Sequence, residues 1–145
     1  MPFCHRQLIA PKPLKTQYPK TLDRIGDHIR KRRLELGLLQ RQAADQIGVA
    51  EATIFNWETG RATPAIRHFP GIVRFLGYPP FPPAQTLGEQ LAMARRLTGW
   101  SQEKLAHQIG VDESTLRDWE AGRHKPVKQS LALIKKTLDG LPMVE

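Results

Sequence analysis

Cysteine is almost missing from this chain of 145 residues, where Cys4 stands alone. A single thiol can close no internal disulfide and build no multi-thiolate zinc site, so the fold has to be held by packing. Long apolar runs are missing as well, and nothing approaches the ~20 residues of a membrane-spanning helix. The N-terminus lacks the charged, apolar and small-residue zones of a secretory leader. These absences fit a reducing cytoplasm. The five histidines fall at no metal-ligand spacing. No nucleophile motif or phosphate-binding loop occurs, so the expected inventory is no metal, no cofactor and no enzymatic activity.

What the chain does have is basic charge, proline and repetition. Lys and Arg number 22 against 14 Asp and Glu, a formal net charge of +8. The first twenty residues carry four basic side chains and no acidic one, whereas residues 139–145 carry two acids and no base. A basic balance with a basic end suits a polyanionic partner such as nucleic acid.

The repetition is internal. Residues 25–64 laid over 87–126 without a gap are identical at 16 of 40 positions. The fold is therefore read per repeat. In the first copy Ala43, Ala44 and Ile47 make one apolar face of a short helix, Gly48 can take the left-handed conformation that ends it, and Val49, Ile54 and Trp57 supply the inner face of a second helix. Leu105, Ala106, Ile109, Gly110, Val111, Leu116 and Trp119 repeat the pattern. Two helices crossing steeply over a short turn leave room only for a small residue at the closest point, which Ala44 and Ala106 supply. A glycine turn with an alanine contact, twice at one spacing, signals helix-turn-helix.

Both copies resemble the Cro/C1-type (XRE-family) helix-turn-helix proteins of bacteria and phages. The residues that carry the resemblance are Arg33, Gly37, Gln40, Ala43-Ala44, Ile47-Gly48-Val49, Thr53-Ile54, Trp57-Glu58, Gly60-Arg61 and Pro64. In the second copy they are Arg95, Gly99, Gln102, Leu105-Ala106, Ile109-Gly110-Val111, Thr115-Leu116, Trp119-Glu120, Gly122-Arg123 and Pro126. The resemblance implies an all-α chain of two tandem lambda-repressor-like domains, each of four to five helices. The expected division is a basic flexible arm over 1–20, a first domain over 21–76, a proline-rich linker over 77–85, a second domain over 86–138 and a tail over 139–145.

Local signals refine this. Thr21 is the expected N-cap of a first helix reaching Leu36, with Leu22, Ile25, Ile29 and Leu36 inward. Residues 65–76 are expected to support the core through Ile66, Phe69, Ile72, Val73 and Leu76, and Pro70, which suits a first helical turn, predicts a break near Phe69. Four prolines between residues 79 and 83 favour polyproline II, so nine linker residues span up to roughly 28 Å as a stiff spacer. Tyr78 and Phe81 either stack on a ligand or pack on a neighbouring domain. Thr86 and Glu89 form a capping box that opens the second copy, with Leu87, Leu91, Ala94 and Leu97 inward. Its last helix is expected over 128–138, with Leu131, Leu133, Ile134 and Leu138 partly inward.

The expected ligand is double-stranded DNA. A helix-turn-helix lays the start of its second helix in the major groove and its flanking loops on the backbone. The resemblance places Gln40, Arg41, Arg61 and Thr63, and Gln102, Lys104, Arg123, His124, Lys125 and Lys128, at backbone positions. Base-reading positions fall at Ala50, Glu51, Ala52, Phe55 and Asn56, and at Asp112, Glu113, Ser114, Arg117 and Asp118. Asn56 can read adenine, Arg117 guanine, and Ala52 or Phe55 a thymine methyl. Asp112 also suits an N-cap, and the acids weaken the DNA affinity expected of the second copy. Within the family the arginine of helix one pairs with the glutamate after tryptophan, which implies structural ion pairs Arg33–Glu58 and Arg95–Glu120. Leu39, where Ser101 stands in the second copy, leaves one helix start without a capping hydroxyl.

The function expected is a sequence-specific transcriptional regulator, cytoplasmic and bound to a bacterial nucleoid. Its two copies would act as a single-chain pseudo-dimer on two half-sites. The alternative is an interaction module of antitoxin or adaptor type, in which the second copy contacts a protein. A homodimer is compatible with either, and a membrane with neither.

Overall fold

The computed structural model describes residues 18–141. Most of the expected arm and the end of the expected tail lie outside them. All regular structure among the described residues is helical: α1 (Ile25–Glu35), α2 (Gln40–Ile47), α3 (Glu51–Glu58), a 3-10 turn (Ile66–His68), α4 (Phe69–Leu76), α5 (Leu87–Thr98), α6 (Gln102–Ile109), α7 (Glu113–Glu120) and α8 (Lys128–Asp139). The all-α class and the tandem helix-turn-helix architecture are as the sequence implies. By packing, the chain divides into two compact units, Met1–Thr63 and Pro64–Glu145.

In the first unit the core is Ile29, Ala43, Ala44, Ile47, Ile54 and Trp57, all buried. The α2–α3 turn closes through Gly48, whose φ of 88° is the left-handed region that a side chain resists. The counterpart Gly110 has φ 89°. Helix α1 begins later than Thr21. Its start is fixed by Asp27, whose carboxylate accepts the Arg24 backbone N–H at 2.9 Å. Thr21 instead donates to Asp23. Leu22 and Leu36 are exposed, because the first precedes the helix and the second lies past its last turn. Leu39 offers no acceptor to α2, yet the helix still starts at Gln40. Gln42 reaches back to accept the Leu39 N–H at 2.8 Å, half of a capping box.

The second unit is built around Leu91, Leu105, Ala106, Ile109, Leu116, Trp119 and Ile134, with Leu87, Trp100, Val111 and Leu138 against them. Thr86 and Glu89 cap α5 reciprocally, each bond 3.2 Å. Ser101 caps α6 through the Lys104 N–H at 3.1 Å. On α8 only Ile134 is buried, and Leu131 and Leu133 are exposed. Ala94 and Leu97 are only half buried. With Met93, Leu138 and Leu141 they line an apolar groove.

The segment over 64–76 belongs to this second unit. The 3-10 turn gives way at Phe69 to α4, which carries Pro70 in its first turn, and α4 packs on α5. Between α4 and α5 the proline stretch carries Phe81 into contact with both sides of it. Phe81 stacks on Phe69 with centroids 5.3 Å apart, and the Arg96 guanidinium lies 4.9 Å over the same ring.

Candidate nucleic-acid interface

Helix α3 is anchored from behind by the buried carboxylate of Glu58, and α7 by the largely covered one of Glu120. Arg33 donates to Glu58 through Nε at 2.7 Å and Nη2 at 2.9 Å, and its Nη1 reaches the Leu38 carbonyl at 3.0 Å. Gln40 Nε2 donates to the same carboxylate at 2.9 Å. The second repeat builds the same cluster: Arg95 to Glu120 at 2.6 and 3.0 Å, and Gln102 to Glu120 at 2.8 Å. The Glu58 side chain is 3% exposed and that of Glu120 9%. One N–H of each glutamine amide is thus committed to glutamate. A phosphate contact at these positions falls to the second amide N–H or to the free backbone N–H groups of the helix start.

Residue types on helix one set how near it approaches. A Cβ added to Gly26 falls on the Trp57 carbonyl oxygen, and one added to Gly88 comes within 2.5 Å of the Trp119 carbonyl oxygen. The duplicated glycine is therefore the contact point between α1 and α3, and between α5 and α7. Its shared register was visible in the sequence as an identity between the copies.

Opposite this anchor lies the outer surface. In the first repeat Ala50, Glu51, Ala52 and Phe55 are exposed and Asn56 is half buried, while Ile54 and Trp57 face inward. Arg61 and Thr63 are exposed in the loop after α3, and Arg41 is exposed on α2. The Arg61 guanidinium sits 5.1 Å over the Phe55 ring. In the second repeat Asp112, Glu113, Ser114 and Arg117 are exposed, as are Lys104, Arg123, His124, Lys125 and Lys128. Lys104 lies 5.0 Å over the Trp100 ring.

Two of the acids on this surface, Glu113 and Asp118, have basic partners. Arg117 donates to Glu113 at 2.9 Å, one helical turn away. Asp118 faces Arg123 at 3.4 Å and His124 at 3.9 Å. Asp112 stands at the N-cap position of α7, but its carboxylate makes no capping bond.

Two titrating groups are displaced. Burial would raise the Asp27 carboxyl, yet hydrogen bonds from the Arg24 side chain and backbone, with the Arg24 charge, hold it below its ordinary value. Burial lowers His68, and the neighbouring Arg67 charge adds to it. Among the described residues no cluster of His, Cys, Asp or Glu could hold a metal, and no helix is long and apolar enough to cross a membrane.

Comparison with known families agrees with this geometry. A helix-turn-helix family matches residues 29–81, and a second family, described as a helix-turn-helix domain, matches residues 86–141. No curated protein and no solved structure matches the chain.

Proposed function

The chain belongs to the XRE-type helix-turn-helix family, a family of DNA-binding regulators, in two tandem copies, and from this premise we propose that it is a sequence-specific transcriptional regulator whose repeats read two half-sites as a single-chain pseudo-dimer. The observation that carries the reading is the twice-built frame of arginine, glutamate and glutamine behind an outward-facing helix. A frame spent on fixing a helix that buries little on its outer side serves contact with something outside the chain.

On this reading Gln40, Arg41, Arg61 and Thr63 meet phosphates for the first repeat, and Gln102, Lys104, Arg123, His124, Lys125 and Lys128 for the second. Asn56 pairs with adenine, Phe55 and Ala52 contact a thymine methyl, and Arg117 takes guanine after exchanging Glu113 for the base. Because the two reading surfaces differ in chemistry, the site is an asymmetric or imperfect repeat. A second reading, in which the second repeat contacts a protein, is favoured by one observation, the carboxylates of Asp112, Glu113 and Asp118 on its outer surface.

Selection of the purified chain on a randomised duplex pool tests the proposal. The expected result is an enriched site with two unlike halves about one helical turn, roughly 34 Å, apart. Retention without enrichment, vanishing as salt rises, refutes sequence-specific reading. Salt-insensitive binding to a protein, with none to duplex, establishes the second reading instead.

A further inference from the structure

We propose that Asp118 is an internal stand-in for DNA phosphate, occupying Arg123 and His124 so that the second repeat is the weaker reader until duplex displaces the carboxylate. This inference rests on the DNA-binding reading above.

The loops after the two reading helices start from the same backbone. The Arg61 N–H donates to the Asn56 carbonyl at 2.9 Å, and the Arg123 N–H donates to the Asp118 carbonyl at 2.9 Å. Gly60 and Gly122 precede them with φ of 75° and 72°. What differs lies beyond Cβ. In the first repeat the arginine rests on the Phe55 ring, a contact that leaves its charge uncancelled. Among the described residues no carboxylate pairs with it. In the second repeat the ring is replaced by Arg117, which Glu113 holds at 2.9 Å. The amide of Asn56 is replaced by the carboxylate of Asp118, and Ala62 by His124.

The result is one loop arginine held in two ways, by a ring where its charge remains available and by a carboxylate where it is neutralised. The Asp118 side chain is 31% exposed, whereas those of Arg123 and His124 are 63% and 73% exposed. The carboxylate is the better fixed member, and the two basic side chains are the ones that can swing away. An exposed pair of this kind shifts an equilibrium by up to about five-fold. That is enough to rank two otherwise similar readers without preventing either from binding. Lys125 and Lys128, exposed and further along, are not among the ion-pair partners of Asp118 and can make the first encounter.

The test is equilibrium binding of the full chain to a labelled random-sequence duplex over a salt series. It compares wild type, Asp118→Asn, Asn56→Asp, and Asp118→Asn in an Arg61→Ala background. Asn and Asp are isosteric, so each exchange changes charge and little else, and thermal melts verify that the fold is kept. Asp118→Asn is expected to bind up to about five-fold tighter at low salt, with the salt slope steeper by about 0.9 for each cation released. The gain persists in the Arg61→Ala background, which assigns it to the second repeat. Asn56→Asp gives the first repeat a carboxylate beside Arg61 and shifts affinity and slope the other way. Salt-dependent binding by wild type that Asp118→Asn leaves unchanged overturns the stand-in. So does tighter binding with an unaltered slope, which would reflect lost repulsion alone. Absence of binding by wild type and all variants overturns the DNA reading, and the inference falls with it.

Discussion

Replacing Arg33 by alanine isolates the energetic role of the buried frame. The substitution leaves Glu58, with 3% of its side chain exposed, holding one neutral donor, Gln40 at 2.9 Å, in place of three. It also strips the Leu38 carbonyl of its guanidinium partner. An uncompensated buried carboxylate costs about 3–5 kcal/mol. A repeat of this size is worth only about 3–8 kcal/mol in all, so the first repeat should be unfolded or nearly so. Arg95→Ala should cost less, roughly 2–3 kcal/mol, because that pair is more open at 17% and 9% exposure. Urea titration read by the indole N–H resonances of Trp57, Trp100 and Trp119 separates the repeats, the first reporting one and the other two the second. The double variant Arg33→Met with Glu58→Leu should recover most of the loss, since the cost lies in the charge left behind and not in the missing attraction. A loss below about 1 kcal/mol for Arg33→Ala, the scale of a surface pair, or a larger loss at Arg95 than at Arg33, would refute the argument.

Gly26→Ala should destabilise by about 1–3 kcal/mol or more, although alanine is the better helix former. The new methyl meets a backbone carbonyl that cannot rotate away, and a gain in melting temperature would show that α1 and α3 part easily. Asp27 gives stability a pH dependence of definite sign. Its folded value lies below the ordinary 3.8, so its contribution is complete above 3.8 and is lost as pH falls through the folded value. Urea midpoints measured for wild type and Asp27→Asn should therefore converge in acid, and a gap that widens there contradicts the assignment. On DNA, Arg61→Ala should weaken binding to every duplex alike and flatten the salt slope by about one contact. Asn56→Ala should instead relax preference at one base pair, and an equal loss on all sequences would remove Asn56 from the reading set.

The fold was legible in the sequence because its signals were local and doubled. The glycine turns, the small Ala44 and Ala106, the tryptophans and the Thr86 capping box each act within a few residues, and repetition set them apart from chance. Helix one was misread at both ends for a related reason. Thr21 resembles a cap and Leu36 continues an apolar period, but Asp27 stops the helix from starting earlier and Gly37 turns the chain before Leu36 can point inward. The particular contacts of Phe81 with Phe69 and Arg96 were not legible in the proline stretch itself, because they depend on residues on both sides of it. The pairing of Asp118 was illegible for the same cause. Arg123 lies five positions further on, and the left-handed turn at Gly122 folds that interval back.

The duplicated frame also bears on how such a chain can change over generations. Residues 55, 56 and 62 and their counterparts 117, 118 and 124 differ between the copies, yet the loop backbone following them has kept the same hydrogen bond at 2.9 Å. These positions contribute little to the interior, so substitutions there leave the margin of stability nearly untouched. A lineage carrying two copies can let one retain an ancestral target while the other drifts through many alternatives, each still folded. The Gly26 and Gly88 contacts, with the buried glutamates, mark where that freedom ends.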